Sequence, residues 1–189
     1  ASAAARGFVA NALDRSGTLY ERRVHPPLLS YIILINNRLF GSEEFGARIF
    51  SMIAGSLCCL AVSLAVFASL KGFRGRLAAA LFGGLMLALL PVHLFVSRTA
   101  NWDAVYSLFV ICALLSLSLH LANPGRARLL SSGIFASLAL LTCELGLILA
   151  PVFAIVLWRD LRKRPRPEVA KNWLLCAAVS LAVLLLLWP

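Results

Sequence analysis

The stretch LSSGIFASLALLTCELGLILAPVFAIVLW, Leu130 to Trp158, decides how the chain crosses a membrane. At about 1.5 Å per residue it is either one tilted helix of roughly 43 Å or a hairpin of two short helices that breaks near Thr142–Gly146. The flanking charges choose between them. Arg126 and Arg128 precede the stretch; Arg159, Arg162, Lys163, Arg164, Arg166 and Lys171 follow it. A single crossing would put the two basic groups on opposite sides of the membrane, whereas a hairpin keeps both on the cytoplasmic side, as the positive-inside trend requires. The hairpin, 130–142 and 145–158, is therefore the expected arrangement. Its legs are only about 20 Å long, so the turn carrying Glu144 should stop below the far surface and face protein or a water-filled cavity rather than lipid.

Outward from this stretch the rest of the chain is equally apolar. Hydrophobic residues make up 61% of the 189 positions and charged residues 14%, with a mean hydropathy of +0.88. A soluble domain of this size needs more polar surface, so lipid is the expected solvent. Spans are expected at Phe45–Leu70, Leu77–Val96, Ala104–Leu121 and 172–189, each near the length a bilayer requires. The fold class is thus all-α: a polytopic transmembrane helical bundle, with residues 45–189 in the membrane. The net charge of +10 does not point to nucleic acid, because the basic residues sit in short runs between apolar spans. Cys58, Cys59, Cys112, Cys143 and Cys176 lie in or beside those spans, without disulfide or metal-ligand spacing, and read as small apolar residues. No metal and no cofactor is expected. The first residue is not Met and the last lies in a Leu run, so the chain is expected to be an excerpt.

Lys71, Arg74 and Arg76 place the first connection in the cytoplasm. The count then puts Ser97–Asp103, the hairpin turn and residues 1–44 on the outer side. Within 1–44, residues 27–40 are apolar but too short to span; they fit an interfacial helix lying along the membrane. Arg6, Arg15, Arg22, Arg23 and Arg38 run against the charge trend there. They either pair with Asp14, Glu21, Glu43 and Glu44 or face an anionic ligand. The Arg- and Ala-rich loops point to a bacterial plasma membrane.

Five ionisable residues converge on this outer side: His25, Arg48, Arg98, Asp103 and Glu144. Groups of this kind at membrane depth are costly and often functional. Each also has a plainer role. His25 can cap the helix it precedes, Arg48 and Arg98 can be snorkelling anchors, and Asp103 can be an N-cap. Glu144 is less easily explained, because a carboxylate in an apolar hairpin needs a partner or a proton. His93 and His120, without acidic neighbours in sequence, read as structural.

The order of motifs resembles a known family. His25-Pro26-Pro27-Leu28 is followed by Leu39-Phe40-Gly41, then by Phe45 and Arg48. A span then ends in Pro91, Ser97-Arg98-Thr99-Ala100 follows it, and Asp103 opens the next span. Ala139–Thr142, a small turn and an apolar run complete the pattern. It is similar to the C-type membrane glycosyltransferases, above all to the dolichyl-phosphate-mannose protein mannosyltransferase-like group, over roughly residues 8 to 160. The resemblance implies transfer of a sugar from a polyprenyl-phosphate carrier to an acceptor of unknown identity on the outer or luminal face. A carboxylate would act there as general base, and cations would stabilise the departing phosphate. Asp103 and His25 would be the catalytic candidates. Arg98, Arg22, Arg23, Arg48 and Glu144 would line the substrate site, because guanidinium matches phosphate oxygens in a bidentate fork.

Two departures keep an alternative open. The acid that serves such enzymes as principal base, upstream of His-Pro-Pro, has no counterpart in Ala1–Ala5, and Cys143-Glu144 stands where Lys-Gly is common. The alternative is a catalytically inactive relative acting as a scaffold or accessory subunit, with partner subunits in a larger membrane complex. A transporter would call for paired broken helices in two related halves, and the chain has no internal repeat.

Overall fold

The computed structural model describes residues 28, 35, 38, 39, 43–99 and 103–187, without the side chains of 43–47. The interfacial helix read over 27–40 therefore lies largely outside the described residues, as do His25, Arg22 and Arg23. Among the described residues every regular element is helical: α1 (Glu43–Ser69), α2 (Arg76–Leu89), α3 (Pro91–Arg98), α4 (Asp103–Ala122), α5 (Arg126–Thr142), a 3₁₀ turn (Glu144–Ile148), α6 (Leu149–Lys163) and α7 (Arg166–Leu187). The molecule is an all-α membrane bundle. Three helices are long and apolar enough to cross a bilayer, Arg48–Ser69, Asp103–Ala122 and Arg166–Leu187, and a fourth crossing is available if α2 and α3 count as one bent span.

The chain folds back and forth in a legible order. α2 returns antiparallel along α1: Gly84 lies against Ser63 and the Cys59 carbonyl, Gly83 against Val62 and Val66, and the Arg76 guanidinium sits over the Phe67 ring. The residues read as a span over 77–96 form two helices, α2 and α3, that meet at a 63° bend. The cause is Pro91, which has no N–H to continue the ladder and pushes the residue before it out of helical geometry. Leu90 accordingly has φ −65°, ψ 120°. The bend turns α3 across α1, where Gly55 faces Ser97 and His93, and the His93 Nε2 lies 3.2 Å from the Gly55 carbonyl.

α4 then runs beside α1 and parallel to it. Ala54, Ala104 and Val105 form one buried cluster, joined by Phe50 and Val96. Farther along, the Cys58 thiol approaches the Ala104 carbonyl at 3.7 Å. α5 comes back antiparallel to α4, with Phe109 stacked on Phe135 at 6.5 Å between centroids and Ala113 packed with Ala139. α7 packs on the far side of α5 and runs parallel to it. The Cys176 thiol donates to the Leu129 carbonyl at 3.3 Å, and the Ser137 hydroxyl donates to the Ser180 carbonyl at 3.1 Å. Small residues let these two helices approach, as membrane helix pairs commonly require; a Cβ on Gly133 would come within 2.6 Å of the Cys176 sulfur.

Two parallel helices joined by a short chain need a return leg, and α6 supplies it. α5 stops at Thr142, Cys143 is extended (φ −153°, ψ 138°), and the 3₁₀ turn reverses the chain into α6. Gly146 makes the reversal tight. A Cβ there would lie 2.7 Å from the Leu140 backbone, so any larger residue would push the turn away from α5. Pro151 falls in the first turn of α6, where a missing N–H costs little. The legs of 17 and 15 residues are about 25 and 22 Å long.

Candidate functional site

The arrangement gives the bundle two chemically different ends. At the basic end lie the α1–α2 connection with Lys71 and Arg74, Arg126 and Arg128 at the start of α5, and the α6–α7 connection with Arg162, Lys163, Arg164 and Arg166. At the other end, the turn end, lie the α2–α3 bend, the start of α4 and the hairpin turn.

The described site candidates all lie toward the turn end. Arg48 lies near the start of α1, Arg98 ends α3 and Asp103 opens α4, and Phe50, Ala54, Val96, Ala104 and Val105 pack together between these helices. Arg48 is exposed on α1, Arg98 is exposed at the last turn of α3, and Asp103 opens α4 half-buried. Arg48, Ser51 and Asp103 each have an interaction partner. Asp103 is the first residue of α4. Guanidinium groups at the end of an apolar bundle are the groups that can meet an anionic head group whose tail is apolar.

Glu144 stands on the other side of α4. It opens the 3₁₀ turn, which packs through Leu149 onto Ala113 and Ala139, with Tyr106 alongside. Glu144 is exposed, among exposed Leu145, Leu147 and Ile148. The reason is Gly146, whose backbone faces α5 and leaves the neighbouring side chains to point outward. Among the described residues no group of three or more His, Cys, Asp or Glu side chains is placed to hold a metal ion.

The most completely buried polar network lies at the basic end. Asp160, 6% exposed, and His120, 3% exposed, meet with His120 Nε2 3.0 Å from Asp160 Oδ2. The Trp173 indole N–H donates to the same oxygen at 3.1 Å. His120 is structural, as its apolar surroundings suggested, but it does have an acidic partner. The only sequence signal for Asp160 was a single acid inside the basic run Arg159–Lys163, and its two partners are far along the chain.

The candidate rim belongs to a chain whose relatives are identifiable. A family model described as dolichyl-phosphate-mannose-protein mannosyltransferase matches residues 24–188. No curated protein and no solved structure matches the chain. The match covers most of the sequence and includes α1 to α7, so the chain belongs to the dolichyl-phosphate-mannose-protein mannosyltransferase family of membrane glycosyltransferases.

Proposed function

We propose that the protein acts in transferring a sugar from a polyprenyl-phosphate carrier to an acceptor on the outer or luminal side of the membrane, with the turn end of the bundle facing that side. The reading is supported by the family match and by the placement of Arg48 near the start of α1, Arg98 at the end of α3 and Asp103 at the start of α4, all toward the turn end. A polyprenyl-phosphate donor has an anionic head on an apolar tail, and this rim presents guanidinium groups next to apolar surface. In this reading Arg98 and Arg48 hold the phosphate as it leaves, through the bidentate geometry that guanidinium offers phosphate oxygens. Arg22 and Arg23 add to the same field. Asp103 and His25 serve the reacting hydroxyl, as acid–base group and orienting group. Glu144 lines the acceptor side. The basic end then faces the cytoplasm, as the positive-inside trend favours, in a bacterial plasma membrane.

The test is sugar transfer by the full-length protein in membranes supplied with a polyprenyl-phosphate-linked sugar. Asp103→Asn and His25→Ala should each lower the rate by about 10²-fold or more, the usual contribution of a positioned acid–base group. Parent-like transfer in both variants would sink the assignment. A second reading, an inactive relative that scaffolds a larger membrane complex, is favoured by Cys143-Glu144 in place of Lys-Gly. It predicts no donor-dependent transfer by the parent protein and co-purification of partner subunits.

A further inference from the structure

One imidazole touches both feet of the hairpin. His120, in the last turn of α4, faces the peptide of Gly125 with Nδ1, at 3.3 Å from the nitrogen and 3.1 Å from the carbonyl oxygen. Gly125 is the residue from which α5 starts. With Nε2 the same ring meets Asp160 at 3.0 Å, and Asp160 lies in the last turn of α6. Trp173 of α7 closes the network on Asp160 Oδ2 and packs its ring edge-on against Phe153 of α6 at 6.1 Å. Alongside, the Arg128 guanidinium donates to the carbonyl of Asn123. The start of one leg, the end of the other and the helix that follows are thus tied to a single side chain.

We propose that His120, Asp160 and Trp173 form a clamp that fixes the two feet of the hairpin and so sets the position of its turn, Cys143–Ile148, at the opposite end of the bundle. α6 depends on such a tie. It buries few of its own residues, Leu149, Val156 and Asp160, while Ile155, Trp158 and Leu161 on its other face are exposed. Leu149 and Asp160 are eleven positions apart on one continuous helix, about 17 Å at the helical rise, so a foot released at Asp160 tilts or slides the turn. His120, Asp160 and Trp173 are positioning residues: they touch no candidate for substrate contact, and they act on the turn through α6. The proposal is independent of which sugar or acceptor the protein uses.

The turn carries its own reporter, the half-buried thiol of Cys143, and the bundle carries a control, the buried thiol of Cys176. The experiment is the rate of maleimide modification of each cysteine in membranes containing the full chain, read by mass spectrometry. His120→Phe and Asp160→Ala should speed modification of Cys143 about tenfold, the factor that loss of one charged hydrogen bond gives a local opening equilibrium, and leave Cys176 protected. His120→Gln retains an N–H donor for Asp160 and should return Cys143 to near its parent rate. An unchanged Cys143 rate in both loss variants would overturn the clamp. So would modification of Cys176 rising in step with Cys143, which marks loss of the whole bundle, or a His120→Gln variant as reactive as His120→Phe.

Discussion

The two ends of the bundle treat an acidic residue in opposite ways. At the basic end Asp160 is buried and accepts hydrogen bonds from His120 and Trp173 on one oxygen. At the turn end Glu144 is exposed and Asp103 is half-buried, and Arg48 and Arg98 are exposed. Burying a charge is costly unless it is paired and hydrogen-bonded, so the enclosed carboxylate is one the fold has fully satisfied. Those left at the rim keep access to a ligand. Burial of an ionisable group in a membrane bundle therefore marks structure here, and the exposed rim is the place to look for chemistry.

That contrast is sharpest if activity and stability separate by end. The largest effect is expected at the rim: Asp103→Asn should reduce sugar transfer by the full-length protein about 10²- to 10⁴-fold and leave its melting in detergent near the parent's. A matching loss of melting temperature would make Asp103 a structural residue and break the comparison. At the basic end, Asp160→Ala should cost about 3 kcal/mol, the scale of breaking a buried charged contact, measured by thermal unfolding in detergent. A smaller effect is expected where the hairpin turn meets α5. Gly146→Ala puts a Cβ 2.7 Å from the Leu140 backbone and should cost about 2 kcal/mol in the same assay, as overpacking does. The smallest belongs to the basic end's first connection. Gly72 has φ +85° and open space around it, so Gly72→Ala should cost only about 1 kcal/mol, from backbone strain alone.

The fold class was legible in the sequence because bilayer thickness and apolar runs impose it directly. The family was legible because His25-Pro26-Pro27, Ser97-Arg98-Thr99-Ala100 and Asp103 fall in a recognisable order. The bend at Pro91 was visible as a residue but not as geometry: a proline in an apolar run does not give the 63° angle between α2 and α3, nor the packing of Ser97 and His93 against Gly55 that follows from it. Asp160 was masked by its basic neighbours, and its contact with His120 joins residues that only the return of α6 brings together. At the rim, sequence supplied residue types, and the structure supplied the helix ends that carry them, the start of α1, the end of α3 and the start of α4.

The proposed topology rests on one geometric claim, that the chain re-enters at Thr142–Gly146 and so leaves the α4–α5 and α6–α7 connections on the same side. The most direct measurement is side-specific labelling of single cysteines in a background lacking the five native thiols, with Asn123→Cys and Arg164→Cys probed by a membrane-impermeant maleimide in intact cells. Both positions should stay unlabelled until the membrane is permeabilised and then react together. Labelling of Arg164→Cys in intact cells, with Asn123→Cys protected, would mean that α5 and α6 cross as one span and would contradict the hairpin and the common outer face built on it.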